Sequence, residues 1–189
     1  TATTDAAGLA QFAGLAISGP VAGYTLTFSA TGVTPVNSGM ISLSAGPARS
    51  LALVTQPSAT AVSGVVFGRQ PVVQVQDAVG NPVDTAGVPV TVALPSGSLA
   101  VAGTLTVRTD TAGTATYTDL SIVGASGPRT LSFTAAPLIA IVSGPVSVGA
   151  GVATQLVLFT APPVAAQSGT VLTPQPVIQL QDASNNNVA

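Results

Sequence analysis

The chain has 189 residues, of which only four Arg and six Asp are charged, so its net charge at pH 7 is −2. It contains no Lys, Glu, His, Cys or Trp. The small charge and the lack of a basic run argue against nucleic acid as a partner, and the missing residue types leave little for nucleophilic, acid–base or zinc chemistry. Val, Thr, Ser, Gly and Pro are abundant and helix formers are scarce, which favours strands and turns.

A stretch without any charge runs from Arg129 to Asp182, but Pro and Gly interrupt it every few residues. Its apolar runs stay well short of the roughly 20 residues that a transmembrane helix requires. We therefore predict no membrane-spanning segment in these residues. A signal peptide is not visible either, as expected for an internal stretch of a longer protein.

The sequence repeats itself with a period of 105 residues. Gln70–Val83 (QPVVQVQDAVGNPV) returns as Gln175–Val188 (QPVIQLQDASNNNV), and Thr4–Gly8 returns as Thr109–Gly113. The overlap is 189 − 105 = 84 positions, of which 36 are identical without any gap. A unit of this size matches one independent domain and is too long for one turn of a solenoid.

The period predicts three segments along the chain. Residues 1–46 are the C-terminal part of one repeat, residues 47–151 are a complete repeat, and residues 152–189 are the N-terminal part of the next. We expect joints near Gly46-Pro47 and Gly151-Val152. Because both ends fall inside a repeat, we expect the chain to be a window from a longer array.

Within the complete repeat, short strands alternate with turns. The first half is predicted to contain three strands and a turn: Ser50–Thr55, Val65–Phe67, Val73–Gln76 and the turn Asp77–Pro82. Pro89 lacks a backbone donor, so the strand Val88–Leu94 should lie at a sheet edge or begin there. The second half is predicted to contain Gly103–Thr109 with Thr114–Tyr117 as its hairpin partner, then Leu120–Ile122, Thr130–Thr134 and Ile139–Val148.

Seven or eight short strands at a spacing near ten residues, with no helical period, predict an all-β fold. The expected architecture is a series of tandem immunoglobulin-like β-sandwich domains in a rod or fibre. The Cys-Trp-Cys core of antibody domains is missing. Val, Leu, Ile and Phe are therefore expected to form the core.

The repeat resembles the bacterial immunoglobulin-like domains of invasin/intimin-type surface proteins and of giant bacterial repeat proteins. The residues that carry this resemblance lie in register across the repeat: Leu51–Pro57 (LALVTQP), Gln74–Val83 (QVQDAVGNPV), Gly103–Thr109 (GTLTVRT), Asp110–Gly113 and Ala115–Ile122 (ATYTDLSI). The resemblance implies an extracellular rod of many domains that holds an adhesive or anchoring part away from the cell. It brings no catalytic residues.

The acidic residues are the candidates for a metal site, and all of them are Asp: Asp5, Asp77, Asp84, Asp110, Asp119 and Asp182. The period pairs Asp5 with Asp110 and Asp77 with Asp182, and both pairs stand in turn sequences. Calcium requires several carboxylates around one ion, and Asp77 with Asp84 is the best combination that the repeat offers. We therefore predict turn-capping Asp residues, with no catalytic, cofactor-binding or metal site.

Two aromatic positions recur in both copies, as Phe12 with Tyr117 and Phe28 with Phe133. Carbohydrate stacking is the functional alternative, but the apolar side of their strand pattern favours core packing. The low charge has a separate implication, because sandwich domains usually guard exposed edges with charged residues. A neutral, strand-prone surface suits lateral or end-to-end self-association into a filament, and compositional drift is the competing explanation.

These observations predict a structural, non-catalytic segment of an extracellular bacterial fibre, stalk or filament at the cell surface. Neighbouring repeats of the same chain are the expected partners, and no cofactor is expected. The alternative is an adhesin or phage-fibre-like module whose repeats contact a receptor or glycan. In that case variable loops, such as Gly19–Tyr24 and Gly124–Arg129, would have to form a binding pocket.

Overall fold

The computed structural model describes residues 1–95 and 100–189, and within these residues the protein is all-β with no helix. The residues of the complete repeat hold twelve of the strands: β5 (Ser50–Thr55), β6 (Thr60–Val62), β7 (Val72–Gln76), β8 (Pro89–Ala93), β9 (Ala100–Ala102), β10 (Thr106–Arg108), β11 (Thr114–Thr116), β12 (Ser121–Val123), β13 (Gly127–Arg129), β14 (Ser132–Thr134), β15 (Ile141–Val142) and β16 (Val146–Gly149). The flanking segments hold β1 (Gly23–Tyr24), β2 (Thr27–Phe28), β3 (Val36–Asn37) and β4 (Ile41–Ser42) before them, and β17 (Ala153–Thr160) and β18 (Val177–Asp182) after them.

Two sheets carry most of the core. One has the strand order β11-β7-β5 and the other β10-β8-β14-β15, with all pairs antiparallel. A third sheet, β13-β16-β6, joins the end of the repeat to its beginning, because β16 runs parallel to β6. The remaining sheets each have two strands: β12-β9, β17-β18, β1-β4 and β2-β3.

One apolar cluster fills the complete repeat. The alternating residues Val73 and Val75 of β7 and Val90 and Val92 of β8 are buried in it, as period-2 burial requires. It also contains Leu51, Leu120, Ile122, Leu131, Val146 and Val148.

The two recurring aromatic positions, Tyr117 and Phe133, lie inside this cluster in the complete repeat, so the prediction of core packing is confirmed for them. The rings of Tyr117 and Phe133 have centroids 5.5 Å apart and are tilted by 60°. The Tyr117 hydroxyl donates a hydrogen bond of 2.8 Å to the Val90 carbonyl oxygen, so the buried phenol has a partner. In the first copy Phe28 is half-buried and Phe12 is exposed, 5.3 Å from it between ring centroids.

The strands of the flanking segments pair in the same register as their counterparts 105 residues away. Leu156 faces Leu180 across β17-β18, as Leu51 faces Val75 across β5-β7. Likewise Phe28 pairs with Val36 as Phe133 pairs with Ile141. The same local sequence therefore forms the same strand pairs in both copies.

Several strand predictions are wrong in detail. Thr114–Tyr117 is not the hairpin partner of Gly103–Thr109, because β10 pairs with β8 while β11 pairs with β7 in the other sheet. The turn between them therefore crosses from one sheet to the other. At its end Gly113 has a φ of +72°, and a Cβ there would lie 2.0 Å from the Val83 carbonyl oxygen.

Three further differences concern strand position and number. Pro89 was predicted to lie at a sheet edge or at the start of a strand. It is the first residue of β8, but β8 lies in the interior of its sheet. Val65–Phe67 was predicted as a strand, but there Val66 makes only an isolated bridge to Ser121. The neighbouring strand is β6, at Thr60–Val62. The stretch predicted at 139–148 is divided into β15 and β16, so the strands are shorter and more numerous than predicted.

Candidate joint between the sequence repeats

The turn that follows β7 is organised by the carboxylate of Asp77. Its Oδ1 accepts hydrogen bonds from the backbone N–H of Val79 at 3.0 Å and of Asn81 at 2.9 Å. Its Oδ2 accepts one from the Asn81 side-chain Nδ2 at 2.8 Å and one from the Gly46 N–H at 2.9 Å. Because Gly46 closes the preceding segment, the turn also fixes the boundary between the first two predicted segments.

Asn81 extends this contact into the first segment. Its Nδ2 donates to the Gly19 carbonyl oxygen at 3.0 Å, and its Oδ1 accepts from the Val21 N–H at 3.0 Å. The side chain is buried. One amide thus uses both its donor and its acceptor on the backbone of a loop about sixty residues earlier, the geometry that a buried Asn requires.

The same arrangement occurs a second time, 105 residues later. Asp182 accepts from the Gly151 N–H at 2.6 Å and from the Asn186 Nδ2 at 2.8 Å. Asn186 donates to the Gly124 carbonyl oxygen at 2.9 Å and accepts from the Ser126 N–H at 2.6 Å. We call each arrangement a joint: the first joint consists of Asp77, Asn81, Gly46, Gly19 and Val21, and the second of Asp182, Asn186, Gly151, Gly124 and Ser126.

The hydrogen bonds lower the pKa of both joint carboxylates. For Asp77 the backbone N–H of Gly46 contributes most and holds the pKa well below its usual range. For Asp182 the side-chain amide of Asn186 contributes most and lowers the pKa to about 2. A carboxylate whose pKa is lowered on folding contributes stability above its unfolded pKa, near 3.8, and loses that contribution as pH falls through the folded value.

The loop that each Asn binds is held by a side chain at one equivalent position. In the first loop the Tyr24 hydroxyl donates to the Pro20 carbonyl oxygen at 2.8 Å. In the second, Arg129 donates from Nη2 to the carbonyl oxygen of Ala125, the counterpart of Pro20, at 3.1 Å. A tyrosine hydroxyl and an arginine guanidinium therefore bind equivalent carbonyl oxygens in the two copies. This indicates that the side chain at this position maintains the conformation of the loop.

Close backbone approach explains the glycine at the boundary. A Cβ on Gly151 would lie 2.9 Å from the Ser63 carbonyl oxygen and 3.2 Å from Asp182 Oδ2. A side chain at this position would push the two segments apart and weaken the 2.6 Å hydrogen bond that its N–H donates.

Asp5 and Asp110 cap turns as well. The Oδ1 of Asp110 accepts from the N–H of Ala112 and of Thr114, each at 2.9 Å, and Asp5 makes the equivalent pair of bonds in the first copy. Asp119 accepts from the Thr104 N–H and hydroxyl, and the backbone bond lowers its pKa most. The prediction of turn-capping Asp residues is confirmed at Asp5, Asp77, Asp110 and Asp182.

Asp77, one of the two candidates for a metal site, is part of the first joint. Within residues 1–95 and 100–189, no group of three or more His, Cys, Asp or Glu side chains is placed to hold a metal ion. Both carboxylate oxygens of Asp77, which the sequence combined with Asp84 as a metal candidate, accept hydrogen bonds from backbone N–H groups. Over the same residues, no helix has the length and apolar character to cross a membrane.

The loops Gly19–Tyr24 and Gly124–Arg129, named above as possible receptor contacts, lie in the joints. Sequence reasoning missed this role of the loops and of Asn81 and Asn186. A signal was present, because Gly19 and Gly124 are identical while every other position from 18 to 24 differs from its counterpart. One invariant glycine in an otherwise variable loop indicates a backbone that another group approaches closely.

The sequence matches no protein-family model and no curated protein. The interpretation of the joints therefore depends on the chain's own repetition.

Proposed function

We propose that this chain is a structural, non-catalytic segment of an extracellular bacterial fibre or stalk, built from tandem immunoglobulin-like β-sandwich repeats at the cell surface. The observation that carries the proposal is the joint itself. The same set of hydrogen bonds links one repeat to the next at two places separated by 105 residues. A chain whose neighbours are attached in one fixed way extends by a constant step.

The composition of the joint supports a mechanical and not a chemical role. Its polar groups are hydrogen-bonded within the joint: the Asp77 carboxylate accepts from four N–H groups, and the Asn81 amide donates to Gly19 and accepts from Val21 in one loop of the first segment. Groups that are fully hydrogen-bonded in a buried setting rigidify a structure. They leave no free nucleophile, acid or ligand for a substrate.

The fold supports the immunoglobulin-like interpretation in its general features. The complete repeat places two antiparallel sheets around one core, and its second and last strands, β6 and β16, pair in a third sheet. Two-sheet packing around alternating apolar residues is the plan of a β-sandwich.

Small-angle scattering on recombinant chains with one, two, three and four copies of residues 47–151 tests the proposal. A rod predicts that the maximum dimension increases by the same step for each added copy, about 35–45 Å if each unit lies along the fibre. The matched control replaces the joint Asn with Ala in every copy, which should increase bending while each unit stays folded. A radius of gyration that rises as the cube root of copy number would indicate compact packing and contradict the rod.

The adhesin alternative predicts a different result. If the loops of the repeat contacted a receptor or glycan directly, they would be free of the joints. A glycan array screened with the four-copy chain separates the two functions, because saturable binding that survives disruption of the joints would support the binding module.

A further inference from the structure

The side chains of each joint turn bind backbone atoms of the segment that precedes it. In the first joint Asn81 binds the Gly19 carbonyl oxygen and the Val21 N–H, and Asp77 binds the Gly46 N–H. The second joint makes the same three contacts with the equivalent backbone atoms 105 residues later. Every residue other than proline provides these groups regardless of its side chain, so the hydrogen bonds do not distinguish one loop sequence from another.

The side chains of the bound loop face solvent. Val21 is 53% exposed although its N–H donates to Asn81, and Ser126 at the equivalent position of the second loop is exposed as well. The preceding position also carries exposed residues, Pro20 in one loop and Ala125 in the other. The residues that differ between the two loops therefore change the surface of the joint and leave the bound atoms in place.

Two features of the loop are common to both copies. The first is a glycine: a Cβ on Gly19 would lie 3.1 Å from the Tyr24 hydroxyl oxygen, and Gly124 has a φ of +137°, which favours glycine. The second is a side chain five residues later that donates a hydrogen bond to the loop backbone, Tyr24 in one copy and Arg129 in the other. A glycine and a donor at this spacing are thus what the two loops share.

The turn side of the joint is specified by side chains. In both copies an Asn follows the Asp at the fourth position, and the two side chains bind each other. The residue before the Asn has a positive φ, +91° at Gly80 and +62° at Asn185. Gly and Asn are the residues that adopt this conformation most readily. The turn therefore has the pattern Asp-x-x-(Gly or Asn)-Asn.

We propose that each joint turn accepts the loop of any preceding repeat that provides this glycine and this donor, whatever the other side chains of the loop are. The partner that fits the turn is therefore a second repeat of unlike loop sequence, and repeats can follow one another in any order. The inference deepens the proposed function and rests on its claim that the two joints are the same kind of connection. It adds that the connection is interchangeable.

Exchange of the two loops within the full chain tests the proposal. One variant replaces residues 20–24 (PVAGY) with the sequence of residues 125–129 (ASGPR), and a second variant makes the reverse change. Hydrogen exchange is measured by NMR and corrected for the intrinsic rate of each residue type. The N–H at position 21 in the first variant, and at position 126 in the second, should keep its protection to within about twofold of the original chain.

Asn81→Asp is the matched control on the turn side. It keeps the shape of the side chain, but it replaces the donor to the Gly19 carbonyl oxygen by an acceptor and places a second carboxylate beside Asp77. The protection of the Val21 N–H should therefore fall by at least about fivefold. The Leu43 N–H donates to the Ala22 carbonyl oxygen beside the β1-β4 pair, so its protection reports whether the loop itself remains formed.

Two single substitutions separate the donor from the variable positions. Tyr24→Phe removes only the hydroxyl that binds the Pro20 carbonyl oxygen, so it should lower the protection of the Val21 N–H. Val21→Ala changes only an exposed side chain, so it should leave the protection at position 21 within about twofold of the original. Full protection in Tyr24→Phe would contradict the requirement for a donor.

A larger than twofold fall at position 21 or 126 in the exchanged chains would overturn the proposal, whether or not Leu43 keeps its protection. That result would show that the joint depends on the loop side chains. It would leave the fibre function intact, because a rod with side-chain-specific joints still lengthens by a constant step. Failure of the fibre function appears separately, as a maximum dimension that does not increase by the same step with each added copy.

Discussion

Replacing Asn81 by Ala removes the side chain that connects two predicted repeats, and its effect can be worked out from the hydrogen bonds. Two bonds cross the boundary, to the Gly19 carbonyl oxygen and from the Val21 N–H, both at 3.0 Å. At about 0.5–1.5 kcal/mol each, their loss should reduce the coupling between the two segments by about 1–3 kcal/mol. This corresponds to about a 5- to 150-fold change in an equilibrium constant.

Hydrogen exchange measured by NMR reports the loss of coupling between the segments at a single backbone N–H group. The N–H of Val21 donates to Asn81, so its protection should fall by that factor in Asn81→Ala. The second joint is the control: Ser126 N–H donates to Asn186, so it should keep its protection in Asn81→Ala and lose it in Asn186→Ala. Equal protection of Val21 in the original chain and in Asn81→Ala would refute the view that the joint couples the segments.

Three further outcomes are expected. Gly113→Ala should destabilise the chain in urea by at least about 2 kcal/mol, since a φ of +72° is combined with a backbone clash, whereas Gly64→Ala, with a φ of +80° in open space, should cost about 1 kcal/mol. Burial raises the pKa of Tyr117 above its ordinary value of 10.0. Its contribution to stability is therefore complete below pH 10 and is lost as the pH rises further. The difference in 295 nm absorbance between the original chain and Tyr117→Phe should show that this phenol ionises above pH 10. The Asp182 carboxylate, whose pKa is lowered to about 2 mainly by Asn186, should give a ¹³Cγ midpoint that rises towards 3.8 in Asn186→Ala, and a midpoint unchanged by that variant would contradict the assignment.

The strands and turns that local interactions determine could be predicted from the sequence. Alternation predicts β5 and β7, and turn chemistry predicts the caps at Asp77 and Asp110, because both follow from interactions within a few residues. Strand pairing was less accessible. The turn ending at Gly113 has the sequence of a hairpin, yet it carries the chain between sheets, because the apolar side of β11 completes the sheet of β7.

The joint was accessible only in part. The 105-residue repeat pairs Asp77 with Asp182, and its period predicts boundaries near Gly46 and Gly151. The partners of Asn81 and Asn186 lie about sixty residues away, and no local pattern specifies a contact over that separation. Only the comparison of the two copies, position by position, marks Gly19 and Gly124 as constrained.

The parallel pairing of β6 with β16 has a consequence for a chain that is pulled from both ends. Ser147, Val148 and Gly149 pair with Thr60, Ala61 and Val62, so strands near the beginning and the end of the repeat lie side by side and point the same way. Tension along the chain draws these strands past one another and loads their hydrogen bonds together in shear. An antiparallel pair in their place would open one bond at a time, so the parallel pair predicts that the complete repeat resists force before any of its length is released.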